Sequence, residues 1–105
     1  MLKWIKKMLG LGPSTNYADL LSKGAKIIDV RTSSEFRNGH IEGSINIPLQ
    51  ELSKKADKFS RDVPIITCCA SGIRSASAKR VLKSMGFREV YNGGSWQTLK
   101  DRIRN

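Results

Sequence analysis

The chain has 105 residues, of which 39% are hydrophobic and 27% are charged, and its formal net charge at pH 7 is +10. This length excludes two or more separate folding units, and the composition is ordinary for a globular protein. Most of the positive charge lies in short clusters that suit solvated helix faces. Because no recognisable nucleic-acid-binding motif accompanies it, we expect no nucleic-acid partner. Attraction of small anions or of an acidic partner is the alternative explanation of the charge.

The first 13 residues are distinct from the rest of the chain. Residues 1–11 would form an amphipathic helix, with lysines on one side and these apolar residues on the other: Leu2, Trp4, Ile5, Met8 and Leu9. Lysines interrupt the apolar stretch, no small-residue cleavage site comes after it, and the segment is too short to span a bilayer. A helix that docks on its own domain or frays is the favoured interpretation. Contact of residues 1–12 with a membrane surface or a partner is the alternative. Gly10, Gly12 and Pro13 end the segment, which puts the predicted domain at residues 14–105.

After this break the sequence alternates between helix and strand patterns. Helices are predicted at residues 17–23, 33–38, 51–59, 74–85 and 95–103, and strands at residues 26–30, 44–47, 64–68 and 89–91. Ser33 or Ser34 is expected to cap the second helix, and Gly86 to end the fourth. This alternation indicates an α/β fold with a parallel sheet covered on both faces. In such sheets functional groups collect at the carboxyl ends of the strands, where Asp29, Arg31 and Cys69 fall.

The two cysteines, Cys68 and Cys69, are adjacent in the chain. Adjacent cysteines rarely pair, because the ring that they would close is strained away from normal disulfide geometry. Two thiols without supporting histidines also make a poor metal site, so we expect neither a metal nor a cofactor. Free thiols indicate a reducing compartment, and we expect a cytoplasmic protein.

Residues 65–75 predict a strand, a short loop and the start of a helix. Such a loop can turn its backbone N–H groups toward its own centre and form an anion cradle, backed by the helix N-terminus. Gly72 allows a backbone conformation that other residues resist, and Arg74 adds a fixed positive charge. Cys69, at the mouth of this cradle, is expected to be an accessible thiolate with a depressed pKa. Cys68, at the end of an apolar strand, is expected to be a buried structural residue.

Four features, in a fixed order, resemble the single-domain rhodanese-like proteins from about Tyr17 to the C-terminus. They are Asp29-Val30-Arg31 after a strand, Glu35-Phe36, Gly39-His40-Ile41-Glu42-Gly43-Ser44-Ile45-Asn46-Ile47-Pro48, and Cys69-x-x-Gly72-x-Arg74-Ser75. The resemblance implies a three-layer fold with a parallel sheet of four to five strands. It also implies a sulfurtransferase whose cysteine takes sulfane sulfur from a small anionic donor such as thiosulfate. The cysteine would hold this sulfur as a persulfide and pass it to cyanide, a thiol or a protein acceptor.

The resemblance also implies roles for particular residues. Cys69 would be the nucleophile, and the loop after it would bind the donor and stabilise the persulfide through these residues: Ala70, Ser71, Gly72, Ile73, Arg74 and Ser75. His40 would be a hydrogen-bonding residue that holds the fold together. Asp29, Arg31 and Glu35 would form ion pairs and hydrogen bonds that support the loop. Thiolate attack on a sulfur–sulfur bond requires a nucleophilic, accessible cysteine but no general base, which suits a sequence with one histidine.

Two other functions stay open. Counted from Cys68, the spacing of a cysteine, five residues and Arg74 matches that of the cysteine-dependent phosphatases. However, Thr67 stands where those enzymes usually have a histidine, and Gly72 fits the rhodanese spacing from Cys69. The second alternative is a module that carries persulfide for a dedicated partner protein, or only binds that partner. Inactive rhodanese-like modules commonly lack the cysteine, which this chain keeps.

Overall fold

The computed structural model describes residues 15–104, and in this range it confirms the predicted alternation of helices and strands. The elements are α1 (Tyr17–Ser22), β1 (Lys26–Asp29), α2 (Ser33–Arg37), β2 (Ile45–Asn46), α3 (Leu52–Lys55), β3 (Ile65–Cys69), α4 (Ile73–Ser84), β4 (Val90–Ser95) and α5 (Trp96–Arg104). The predicted amphipathic segment and its boundary at residue 13 lie outside the described residues. Within the described range, no helix is both long enough and apolar enough to cross a membrane.

The described strands form one parallel sheet in the order β2-β1-β3-β4. Four strands agree with the lower end of the predicted range. The central strands β1 and β3 lie side by side, with Asp29 opposite Cys68. Because all the strands run the same way, the residues that come after β1 and β3 meet at one edge of the sheet. The candidate site lies at this edge.

Helices cover both faces of the sheet, as predicted. Side chains alternate between the faces along a strand, so Ile28 and Ile65 lie in one core while Ile27 and Ile66 lie in the other. Helices α3 and α4 close the first core with the wholly buried Leu52, Ala78 and Leu82. Helices α1 and α5 close the second core with Tyr17 and Leu99. The resulting three-layer arrangement confirms the predicted fold class.

Several predicted boundaries were wrong. The polar helix at residues 51–59 is a single α-helical turn, α3, flanked by the 3₁₀ turns Leu49–Glu51 and Ala56–Lys58, and it buries Leu52 and Ala56 completely. The strand at residues 44–47 shrinks to β2, although the N–H groups of Ile47 and Leu49 still donate to the carbonyl oxygens of Asp29 and Val30. The third strand runs one residue further than predicted and ends at Cys69. This last difference decides where the thiol lies.

Strand β4 is twice as long as predicted, and it contains a bulge. Thr67 pairs with Asn92 but Cys69 pairs with Ser95, so β4 carries one residue more than β3 over this stretch. Gly93 fits here because a Cβ atom would stand 2.8 Å from the carbonyl oxygen of Thr67. Gly94 takes a positive φ of 80°. The bulge brings β4 alongside the loop after β3, where the backbone of Gly94 faces Gly72.

The cap of α2 is Thr32, not Ser33 or Ser34. The Thr32 hydroxyl accepts from the N–H of Glu35, and the Glu35 carboxylate accepts from the N–H of Thr32, which forms a reciprocal capping box. A capping box requires a Glu or Gln three residues after the cap, and here only Thr32 has one. Ser33 and Ser34 instead form the first turn of α2.

Candidate active site

The loop between β3 and α4 is short and tightly wound around the sulfur of Cys69. Gly72 caps α4 with a positive φ of 102°, which turns the chain back over the end of β3. As a result, the N–H of Gly72 lies 3.0 Å from the Cys69 Sγ atom and the N–H of Ser75 lies 3.3 Å from it. Both groups belong to the amino end of α4, whose free N–H groups favour a negative charge.

Cys69 is completely buried, which corrects the expectation of an accessible thiol. The reason is that Cys69 is the last residue of β3, so its side chain points into the core beneath α4 rather than out of the loop. Burial raises the pKa of the thiol. However, hydrogen bonds from Ser75 and from the N–H groups of Gly72 and Ser71 outweigh burial and hold the pKa of Cys69 below its ordinary value. The arrangement favours a thiolate that is shielded by its own loop.

Ser75 links this sulfur to strand β4. Its buried Oγ atom lies 3.5 Å from the Cys69 Sγ atom and donates to the Asn92 Oδ1 atom at 2.6 Å. Thr67 donates from its hydroxyl to the Ser75 carbonyl oxygen at 2.9 Å and so fixes the first turn of α4 against β3. Neither Asn92 nor Thr67 was predicted as a site residue. The one available signal for Asn92 was a polar residue at the carboxyl end of a strand.

Arg74 and Glu35, which are 39 residues apart, form a bidentate ion pair with N···O distances of 2.7 and 3.0 Å. The Arg74 guanidinium, which was expected to add a fixed positive charge to the loop, is held by α2. Each side chain is about one-third exposed. The hydrogen bonds with Arg74 and the capping bonds of Thr32 lower the pKa of Glu35 to about 2. The pair ties the start of α4, and with it the loop, to the neighbouring helix.

Asp29 and Arg31 form a second ion pair, and this one is buried. The Arg31 Nη2 atom lies 2.7 Å from the Asp29 Oδ2 atom, and the same nitrogen donates to the carbonyl oxygen of Gly39 at 2.7 Å. The guanidinium also lies over the Trp96 ring, 4.9 Å from its centre. The hydrogen bonds with Asp29 raise the pKa of Arg31. This pair holds the segment after β1 against α5.

His40 lies away from the loop, beside α2. Its Nδ1 atom is 2.7 Å from the carbonyl oxygen of Phe36, and its ring stacks on the Phe36 ring at 3.7 Å. The imidazole is exposed, and both of these contacts hold residue 40 to α2. The structure thus brings Glu35 to the loop through Arg74, whereas His40 contacts a different part of the same helix.

Cys68 points to the opposite face of the sheet from Cys69. Its side chain belongs to the core beneath α1 and α5, where it is wholly buried, while Cys69 belongs to the core beneath α4. Burial, together with the nearby carboxylate of Asp29, raises the pKa of Cys68. This placement disfavours the phosphatase alternative, because the spacing counted from Cys68 requires the Cys68 sulfur to lie inside the loop.

Across residues 15–104, no three metal-ligating side chains come together as a metal site would require.

A thiol that is buried beneath its own loop and faces backbone N–H donors, at the carboxyl edge of a parallel sheet, has the features of a nucleophilic cysteine site. A sequence model described as "Rhodanese-like domain" matches residues 13–99. The chain therefore belongs to the rhodanese-like domain family.

The chain is also similar to several bacterial proteins, two of which have names that concern sulfur. The chain is 40% identical over 68 residues to the uncharacterized protein YqhL of Bacillus subtilis, with 65% of this chain and 54% of that protein covered. It is 41% identical over 66 residues to the putative sulfur carrier protein YrkF of the same organism, with 63% and 36% covered. It thus spans about half and about a third of the lengths of these two relatives. The thiosulfate sulfurtransferase GlpE of Shewanella oneidensis is 34% identical over 71 residues, with 68% and 70% covered.

A solved structure shares the fold. The chain superimposes on a structure titled "rhodanese with anions from E. coli" with a TM-score of 0.67 and 30% identity, over 71% of this chain and 91% of the other. This similarity agrees with the layered α/β arrangement.

Proposed function

We propose that the protein is a sulfurtransferase that carries sulfane sulfur on Cys69. The observation that carries the proposal is the pair of backbone N–H groups, from Gly72 and Ser75, at 3.0 and 3.3 Å from the Cys69 Sγ atom. Donors at these distances favour a sulfur anion over a neutral thiol, without a basic side chain. A thiolate is the form that attacks sulfur–sulfur bonds.

With thiosulfate as donor, the reaction has two steps. The Cys69 thiolate attacks the outer sulfur of thiosulfate, a new sulfur–sulfur bond forms, and the bond to the inner sulfur breaks with release of sulfite. The outer sulfur remains on Cys69 as a persulfide anion. An acceptor such as cyanide or a thiolate then attacks that sulfur, takes it as thiocyanate or a new persulfide, and returns the Cys69 thiolate. Neither step calls for an oxidant or a cofactor.

The loop would stabilise the persulfide as well as the thiolate. Gly72 and Ser75 already donate to the first sulfur atom, and the outer sulfur would meet the N–H groups of the remaining loop residues: Ala70, Ser71, Ile73 and Arg74. Because Cys69 is buried, the donor has to enter through this loop, which favours a small anion over a bulky one. The ion pair between Arg74 and Glu35, together with the buried pair of Asp29 and Arg31, would hold the loop in register during both steps.

The acceptor separates the two versions of the proposal. As an enzyme, the protein would hand sulfur to a small acceptor such as cyanide or a free thiol. As a carrier, it would hand sulfur to a thiol of a partner protein, and a relative named as a putative sulfur carrier protein supports that version. Relatives named thiosulfate sulfurtransferase support the enzyme version.

The two free cysteines suit a reducing, cytoplasmic location.

The test is the mass of the intact protein after incubation with thiosulfate. We expect a gain of one sulfur atom, its loss on addition of cyanide, and the formation of an equal amount of thiocyanate. Cys69→Ser should gain no sulfur, whereas Cys68→Ala, a change in the core of the other face, should gain it normally. A persulfide that is stable to cyanide but passes to a protein thiol would select the carrier version. Sulfur uptake by Cys69→Ser, or none by the unaltered chain with any sulfane donor, would overturn the proposal.

A further inference from the structure

Asn92 lies outside the loop but reaches into it from β4. Its Oδ1 atom accepts from the Ser75 hydroxyl at 2.6 Å and from the N–H of Gly94 at 2.9 Å. Its Nδ2 atom lies 3.5 Å from the carbonyl oxygen of Gly72. The bulge in β4 makes this possible, because it places Asn92 and the two glycines after it alongside the loop. Asn92 therefore contacts both residues whose N–H groups face the sulfur, Gly72 and Ser75.

The orientation of the Asn92 amide is set by its neighbours. The N–H of Gly94 can only donate, so the atom that faces it must be the amide oxygen. The carbonyl of Gly72 can only accept, so the atom on that side must be the amide nitrogen. The oxygen is thereby turned toward Ser75. Because an amide oxygen cannot donate, the short contact of 2.6 Å requires the Ser75 hydroxyl proton.

This leaves one proton with three acceptors in reach. The Ser75 Oγ atom lies 2.6 Å from the Asn92 amide oxygen, 3.0 Å from the Gly72 carbonyl oxygen and 3.5 Å from the Cys69 sulfur. In the thiol form, the sulfur donates its own proton to the Ser75 oxygen, and the hydroxyl proton rests on Asn92. In the thiolate form the sulfur becomes an anionic acceptor, and it competes with Asn92 for that proton.

We propose that Asn92 is a positioning residue that controls where the Ser75 hydroxyl proton points and thereby sets the nucleophilicity of Cys69. Asn92 keeps the proton while the sulfur is a thiol and yields it when the sulfur becomes an anion. The thiol proton itself leaves to solvent. The inference deepens the proposed sulfur transfer and rests on it for its biological meaning, although its geometry stands without a sulfur donor.

The ion pairs at this edge of the sheet do not have the same role. Arg74 is neutralised by Glu35, and Arg31 by Asp29, so each pair contributes little net charge. The remaining titratable neighbour, Cys68, is a neutral thiol on the other face of the sheet. The hydroxyl of Ser75 is a neutral donor that can switch between acceptors. Its shortest contact, at 2.6 Å, is with the Asn92 amide oxygen.

The experiment titrates Cys69 in the full chain by the ultraviolet absorbance of its thiolate, with the Cys69→Ser protein as the blank. Asn92→Ser is the informative variant, because a serine can still accept from the N–H of Gly94 but is too short to hold Ser75. Without Asn92, the Ser75 proton has the Gly72 carbonyl oxygen and the sulfur as acceptors, and only the sulfur becomes an anion. The hydroxyl should therefore stabilise the thiolate more than it does in the unaltered chain, and the pKa of Cys69 should fall by about 0.5 to 1. Asn92→Asp should raise it, because a carboxylate holds the Ser75 proton more strongly and repels the thiolate.

Ser75→Ala provides the control, since it removes the proton that Asn92 is inferred to control. In this background, Asn92→Ser should no longer shift the pKa of Cys69, so the two changes should be non-additive. An unchanged or raised pKa in Asn92→Ser, or an equal shift with and without Ser75, would refute the inference and leave Asn92 as a support of the bulge. The titration uses no sulfur donor. A chain that fails to take up sulfur but shows these shifts would therefore refute the proposed function and retain the role of Asn92.

Discussion

Cys68 and Cys69 are adjacent in the chain, yet their side chains lie in separate hydrophobic cores on opposite faces of the sheet. The cause is the extended backbone of β3, in which successive side chains point in opposite directions. One thiol is surrounded by hydrogen-bond donors that lower its pKa, while the other is desolvated beside a carboxylate and has a raised pKa. One strand therefore carries, next to each other, a thiol whose surroundings favour the anion and a thiol whose surroundings favour the neutral form.

The first prediction concerns oxidation. Under native conditions, a thiol oxidant such as diamide should not join Cys68 and Cys69, because β3 holds their side chains apart. In urea the restraint is lost, and any disulfide within one chain should form only there. The measurement is the mass of the oxidised monomer, which loses two hydrogen atoms when the bond forms. Equal rates of disulfide formation in native buffer and in urea would contradict the separation of the two thiols.

The second prediction concerns the stability of the fold at acid pH. The pKa of Glu35 is lowered in the folded state from 4.5 to about 2, so between these values the unfolded chain binds more protons. The stability that Glu35 contributes is complete above its unfolded pKa and is lost as the pH falls from about 4.5 to about 2. The pair is partly exposed, so after screening by solvent its contribution should be less than about 1 kcal/mol.

Glu35→Gln isolates this effect. Glutamine can still complete the capping box with Thr32, so the variant removes the charge and keeps the cap. Urea unfolding at a series of pH values should show the variant less stable than the parent at neutral pH, with the difference vanishing toward pH 2. A difference that stays constant across this range would show that the Arg74–Glu35 charge pair is not its source.

The third prediction concerns the cap of α2. Thr32→Ala removes the hydroxyl that accepts from the N–H of Glu35, and it should lower the free energy of unfolding by about 1 kcal/mol. Ser33→Ala and Ser34→Ala are matched controls, since both hydroxyls belong to exposed residues of the first turn. Each should change the stability by less than about 0.5 kcal/mol. Urea denaturation measures all three. A larger loss in either serine variant than in Thr32→Ala would show that the cap lies elsewhere.

The cap shows what the sequence could and could not decide. Thr32, Ser33 and Ser34 are three hydroxyl residues in a row, and each has the chemistry of a cap. The position of Glu35, three residues after Thr32, was the signal that could have resolved them. The helices and strands were also predictable from local signals, because the spacing of apolar residues within each short segment indicates its secondary structure. The alternation of strand side chains could likewise have separated Cys68 from Cys69, once β3 was known to include both.

The contacts that complete the site were not predictable in this way. The partner of Arg74 is Glu35, and the partner of Ser75 is Asn92, which lie 39 and 17 residues away in the chain. The second of these contacts depends on a bulge that shifts the register by one residue. Gly93 and Gly94 are local signs of such a bulge, but they do not indicate which residue it brings Asn92 to contact. The burial of Cys69 had the same origin, because the loop motif identifies the cysteine but does not fix where the strand ends. Pairings between distant elements depend on the assembled sheet.

The fourth prediction concerns the buried pair of Asp29 and Arg31. Asp29→Ala would leave the Arg31 guanidinium buried with two carbonyl oxygens and no counter-charge. Such a loss typically costs about 3 to 5 kcal/mol, because the remaining charge stays desolvated. Asp62→Ala is the matched control, since it breaks the pair with Arg88, in which both side chains are at least 75% exposed. That change should cost less than about 1 kcal/mol, because water already solvates both groups. Urea unfolding at neutral pH compares the two, and a similar small loss in both would mean that the buried pair does not hold the segment after β1 in place.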